Sequence, residues 1–414
     1  MADPAPNWRP IIEGDLARRA AAAVENIAAD LMALGERGHT LGPSMGVGDA
    51  GIGLFFHYLH LSRAVDGYAG ASRLFMDRAF EDVARASLWY DLFQGVTGVA
   101  WVHHHIYGFS NDGDDLEEVD DQLVKLLDKE KWPLLYDLIT GLAGIGVYAL
   151  ERWPHGRSGQ ILESVVRHLL AALEPATPGA TIFTPPHLLV REQRGKYPHG
   201  YYNLGVAHGI PAVTAVLAAA GKLGVKGSRS PLEAARQTAQ WLLACRQERP
   251  AASSFPSIIA LDGKHEPTRL GWCYGDGGVA GLLLAVSRMI GDEELAGQAE
   301  QIAQRAMRIP EEGTRVADAP LCHGATGLAH IFNRFFQATG DETYRDAARF
   351  WIERALAFHR PGQGVGGFQA NRGEEWDDFP GFLEGAAGVG LALLAAIHAV
   401  EPAWDRLLLL SMAV

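Results

Sequence analysis

GLAGIGVYAL, residues 141–150, decides how this chain folds. It reads as a glycine, two residues, a second glycine and then an apolar helical run. Glycine near a helix start costs roughly 0.5–1 kcal/mol relative to alanine, so one such motif is a local weakness. The motif returns, however. It opens GDAGIGLFF at Gly48, GVTGVAWVH at Gly95, GIPAVTAVLAAA at Gly209, GDGGVAGLLLAV at Gly275, GATGLAHIF at Gly324 and GAAGVGLALLAAI at Gly385, which with Gly141 makes seven copies. Only the fourth departs, with Ala212 where most copies have the second glycine. A cost repeated seven times needs a compensating reason, and close approach of chains supplies one.

Successive first glycines lie 47, 46, 68, 66, 49 and 61 residues apart, room for two helices and their connections each time. Between the motifs run RLFMDRAFEDVARASLW (73–89), ILESVVRHLLAALE (161–174), LEAARQTAQWLLACRQ (232–247) and YRDAARFWIERALAFH (344–359). Their apolar residues recur at three- and four-residue steps, the pattern of outer helices with one wet face. The runs after the glycines are apolar nearly all round and read as inner helices. Almost nothing reads as a strand except ATIFTPP at 180–186. The expected fold is all-α: hairpins wrapped into a closed α/α toroid, one domain over residues 1–414, with the glycine-rich turns at one end. Open superhelical stacking of the same hairpins is the alternative, and the variable intervals favour closure. Loops are expected at 108–121, 175–204 and 361–382. The acidic run in the first is expected to be a solvated face. Residues 175–204, with Pro175, Pro178, Pro185, Pro186 and Pro198, are long enough for an inserted lid or small subdomain in contact with substrate.

Composition narrows the function classes. Across 414 residues, 48% are hydrophobic and 21% charged, with a formal net charge of −13 and a pI near 5.6. A nucleic-acid surface needs clustered Lys and Arg to displace counterions, so nucleic acid is not an expected partner; a basic one suits the charge better. No run approaches the roughly 18–20 apolar residues of a membrane span, and the first residues lack the pattern of a secretion signal. A cytoplasmic protein is expected, and three cysteines are too few for a disulfide framework.

The repeat aligns the chain with itself. Cys273 lies two residues before Gly275 and Cys322 two before Gly324, while His208 and His323 each lie one before their glycine. Two thiolates and an imidazole suit zinc, and three protein ligands leave a fourth position open. Burial as small apolar residues is the competing reading for both cysteines, and compartment argues against a disulfide. Cys245 sits on the apolar side of an outer helix and reads as packing. His208 then remains for acid–base work near neutral pH, or as a hydrogen-bonded core histidine. Asp91 and Asp137 each precede their glycine by four residues, and spacing does not choose between them. Arg269 is either an anion contact or a solvated loop residue. The HHH run at 103–105 cannot aim three consecutive side chains at one site, and His57 with His60 lacks support from further ligands.

GWCYG (271–275), LCHG (321–324), NLGVAHG (203–209) and YDLITGLAGIG (136–146) together resemble the lanthionine synthetase C family of lantibiotic cyclases, from about residue 40 to the C-terminus. The resemblance implies a toroid of seven inner and seven outer helices, zinc on Cys273, Cys322 and His323, and catalytic roles for His208 and Asp137, with Arg269, Trp272 and Tyr274 around the site. It implies addition of peptide cysteine thiols to dehydroalanine or dehydrobutyrine, forming thioether rings. The implied partners are a dehydrated precursor peptide with its leader, a dehydratase and an exporter, in a complex peripheral to the membrane. Residues 175–204 match the family only loosely. The alternative within the family is a protein that binds glutathione and adds it to dehydrated residues. A toroidal glycosidase would instead need paired carboxylates and no metal.

Overall fold

Each glycine motif opens a helix: Asp49–Arg63, Val96–Tyr107, Leu142–Arg152, Ile210–Lys222, Asp276–Ile290, Ala325–Thr339 and Ala386–Ile397. The computed structural model describes residues 8–38, 41–63, 65–85, 89–109, 113–248 and 252–412. The first glycine is the residue before the helix, extended in most copies, as at Gly209 (φ −132°, ψ −167°). A Cβ on Gly209 would overlap the carbonyl oxygen of Asn203, six residues back, and one on Gly278, the second glycine of its copy, would overlap that of Trp272, again six back. The close approach foreseen from the repeat is therefore largely that of each helix start to its own preceding turn.

Those turns stack in register. In one compact unit, residues 88–316 with 406–414, Ile139 N donates to Ala207 O (3.3 Å) and Ala207 N to Cys273 O (3.3 Å). In the other, residues 1–87 with 317–405, Cys322 N donates to Leu383 O (3.0 Å) and Leu383 N to Gly46 O (3.0 Å). All six residues stand two before a first glycine, so the backbone reproduces the alignment drawn from the sequence.

The motif helices are buried on nearly all sides; in Ile210–Lys222 every residue from Ile210 to Ala220 is buried. Outer helices Asp66–Arg85, Glu117–Leu127, Ser158–Ala172, Pro231–Ala244, Glu293–Met307 and Glu342–Ala357 each pack on the motif helix before them. Glu293–Met307 buries only Leu295, Ala299, Ile302, Ala303 and Ala306, one helical stripe. The seventh outer helix, Gly14–Glu36, precedes its partner in sequence and packs on Ala386–Ile397. It is tied there by Trp8 Nε1 donating to Ala395 O (2.7 Å) and Ile11 N to Ala396 O (2.9 Å). Residues 86–88, inside the expected helix 73–89, lie outside the described residues. Among the described residues no helix is long and apolar enough to cross a membrane.

Two loop expectations change. Glu117–Leu127 of the acidic stretch 108–121 is an outer helix, while 110–112 lie outside the described residues. Asp120 is wholly buried, accepting from Tyr148 OH (2.6 Å), Arg152 Nη2 (2.8 Å) and Arg157 N (2.9 Å). The run is thus solvated only in part: its acidic residues occupy the first turn, where the helix dipole favours them, and Leu116, Leu123 and Leu127 supply the buried face. The stretch 175–204 is structured too. Glu174–Pro175 pairs with Ala180–Thr181, Arg191–Lys196 is a short helix, and Tyr201–Asn203 joins an antiparallel sheet with Ile258–Ala260 and His265–Glu266. Leu189, Tyr197, Tyr201, Ile258 and Ala260 form a small apolar cluster there.

The glycine account separates two substitutions. Gly278→Ala drives a methyl into the Trp272 carbonyl and should cost about 2–3 kcal/mol or more. Gly297→Ala, inside Glu293–Met307 with nothing within 4 Å of the new Cβ, should stabilise by about 0.5–1 kcal/mol. Urea unfolding of the two variants measures both, and equal shifts would contradict the account.

Candidate active site

His208 and Asp137 are brought together. His208 Nδ1 lies 2.7 Å from Asp137 Oδ2, and because a carboxylate only accepts, Nδ1 carries the proton and Nε2 is left for a ligand. The other carboxylate oxygen is used locally: Asp137 Oδ1 accepts from Thr140 N (2.8 Å) and Thr140 Oγ1 (3.1 Å). Asp137 is buried while the His208 side chain is 42% exposed, so the carboxylate is fixed and the imidazole is reachable. Burial pushes His208 down, but the hydrogen bond and charge of Asp137 outweigh it and hold the pKa above its ordinary 6.5. Asp91, equivalent by spacing, spends Oδ1 on Gln94 N (2.6 Å) and Gly95 N (3.0 Å); burial pushes its carboxyl up. Tertiary contact thus makes the choice that spacing left open.

Tyr274 joins the pair. Its ring stacks 6.3 Å from that of His208 at 29° and lies where a side chain on Gly205 would be. Asn203 Nδ2 donates to Tyr274 OH (3.2 Å), and Asn203 Oδ1 accepts from Gly205 N (3.0 Å). Burial raises the Tyr274 pKa well above its ordinary value, so the phenol stays protonated. A pocket of about 190 Å³ opens onto these groups, lined also by Leu188, Val190 and Gln193.

The remaining expected residues divide. Cys273 stands in one compact unit and Cys322 with His323 in the other, each one or two residues before a first glycine. The cysteines are buried thiols and His323 is half-buried. Trp272 is wholly buried, its Nε1 donating to Leu408 O (2.8 Å) and its ring tilted on Phe93 at 6.2 Å; the structure gives it packing rather than a place in the pocket. Arg269 is exposed and does not line the pocket. Cys245 caps its helix half-buried, and burial pushes its thiol up to about 12. His103 and His105 face Asp115 (3.7 Å) and Glu151 (2.7 Å) separately, so the HHH run makes no common site. Thr140 and Asn203 escaped the sequence reading, as did the individual pocket residues of 175–204, a stretch expected only as a whole to contact substrate. Thr140 had a signal, since it precedes Gly141 as His208, Tyr274 and His323 precede their glycines.

The fold has known counterparts. The solved structure of nisin cyclase matches at a TM-score of 0.71 with 20% identity, over 93% of this chain and 97% of that one. The fold is an α/α toroid, with seven inner and seven outer helices among the described residues. The family described as lanthionine synthetase C-like protein matches residues 39–409, and the chain belongs to it. Nisin biosynthesis protein NisC of Lactococcus lactis subsp. lactis is 25% identical over 289 residues, 66% of this chain and 64% of NisC. That match spans a little under two thirds of the relative.

Asp137→Asn removes the charge that lifts His208 and leaves the burial that lowers it. The His208 pKa should fall from its wild-type value, read by NMR titration of the imidazole; an unchanged value would show that Asp137 does not set it.

Proposed function

We propose that this protein is a lanthionine cyclase, joining cysteine thiols of a dehydrated peptide to its dehydroalanine or dehydrobutyrine residues. The observation that carries the reading is the His208–Asp137 pair, Nδ1 2.7 Å from Oδ2, in a chain of the lanthionine synthetase C-like family that places Cys273, Cys322 and His323 at equivalent points of its repeats. Zinc fits this donor set. Two thiolates and one imidazole match its softness and leave a fourth tetrahedral position open. When bound there, zinc would supply the acidity that removes the proton of a peptide thiol near neutral pH.

The chain's own residues account for the rest. In the addition a C–S bond forms at the β-carbon of the dehydro residue, the thiol proton leaves, and a proton is returned to the α-carbon, so the ring closes without change of mass. His208 is the proton donor: Asp137 holds Nδ1–H, favours the imidazolium, and leaves Nε2–H directed away from the carboxylate. Thr140 fixes the carboxylate through both its N–H and hydroxyl. The phenol of Tyr274, positioned by Asn203, is a hydrogen-bond donor for negative charge developing on the substrate carbonyl. The partners on this reading are a dehydrated precursor peptide with its leader and the dehydratase that prepares it.

The test incubates zinc-loaded protein with a dehydrated, cysteine-containing precursor and follows loss of thiols that an alkylating reagent can label. A parallel sample holds glutathione and a dehydrated peptide without cysteine. Wild type should protect the precursor thiols, and His208→Ala should keep its zinc and lose about 10²–10⁴-fold in rate. Full activity in that variant would refute the role of His208. A glutathione adduct without ring closure would overturn the cyclase reading in favour of glutathione addition.

A further inference from the structure

The wall of the pocket beside His208 is built from the segment that the repeat does not explain. Leu188, Leu189 and Val190 face it, with Leu135 and Tyr136 on another side. Among the described lining residues the only charged groups are His208 and Asp137, which satisfy each other. A charged side chain entering beyond them would lose its water without gaining a counter-charge. At about 190 Å³ the recess is smaller than the roughly 300–1,000 Å³ of sites that enclose a whole small molecule; it has room for one side chain.

The wall is also held in place before any ligand arrives. Arg194 donates to the carbonyls of Pro186 (3.1 Å) and Leu189 (3.0 Å), fastening the Pro186–Leu188 turn to the helix that follows. Leu189 is sealed into the cluster with Tyr197, Tyr201 and Ile258, and Tyr201 OH donates to Gln193 Oε1 (3.3 Å). Val190 nonetheless stays 61% exposed at the rim. A large aliphatic side chain kept in water on a braced wall, above an apolar recess, is a surface shaped for an apolar occupant.

We infer that this recess is a specificity pocket, taking the apolar side chain of the residue next to the dehydro residue that reacts. The inference rests on the cyclase reading, which places the α-carbon being protonated at His208, within one residue's reach of the recess. Leu188 and Val190 are its specificity-determining residues.

The test uses synthetic peptides carrying one dehydroalanine and one cysteine, identical except that the residue beside the dehydroalanine is Leu, Ala or Asp. Wild type should favour Leu over Ala by roughly ten- to a hundredfold in kcat/KM and disfavour Asp. Leu188→Ala and the surface change Val190→Asp, which carries little risk to folding, should each pull the Leu:Ala ratio towards one. A wild-type ratio near one, or a ratio unmoved in both variants, overturns the pocket. Binding of the same peptides with cysteine replaced by serine, followed by fluorescence anisotropy, separates the two claims. If no peptide cyclises but the Leu peptide still binds more tightly than the Ala peptide, and Val190→Asp abolishes the difference, the pocket stands and the cyclase reading fails. Equal binding sinks the pocket whatever the turnover.

Discussion

Everything in this chain depends on a hydrogen atom where other residues have a β-carbon. The first glycine of a repeat lies against a backbone carbonyl of its own preceding turn, commonly the one six residues back, and the second often does the same. That contact folds each turn tightly over the helix it introduces. Neighbouring turns then meet through the hydrogen bonds linking Ile139, Ala207 and Cys273 in one unit and Cys322, Leu383 and Gly46 in the other. Once the turns are in register, the position one before each glycine is a fixed address, and His208, Tyr274, His323 and Thr140 all occupy it.

This is why so much of the fold and site could be read from the sequence. The glycine spacing marked all seven inner helices, and the self-alignment singled out Cys273, Cys322, His323 and His208. What it could not supply depended on contacts between turns. Asp91 and Asp137 share an address, and only the approach of His208 separates them. Trp272 and Arg269 flank the same motif, yet one is buried against the Leu408 carbonyl and the other is exposed. The helix Glu117–Leu127 was hidden because its apolar face is three leucines among carboxylates. Asp120 is buried there through partners on another helix and its connection, Tyr148, Arg152 and Arg157, which no local pattern reveals.

The site divides its work between the repeat and the departure from it. The repeated turns carry His208, Tyr274 and Thr140, and their positions follow from backbone geometry. Residues 175–204 lie outside the repeat, and Tyr201–Asn203 brings them to the site as the first strand of a small sheet. Asn203 links the two, since its amide reaches Tyr274 while its carbonyl oxygen caps the turn leading to His208.

The central claim, that Cys273, Cys322 and His323 together hold zinc, is tested most directly by X-ray absorption at the zinc edge of the loaded protein. The account predicts two sulfur scatterers at ~2.3 Å with one imidazole nitrogen and one further light atom at ~2.0–2.1 Å. It also predicts that Cys273→Ala and Cys322→Ala each remove one sulfur. A spectrum of nitrogen and oxygen alone, or one unchanged by either substitution, would contradict it.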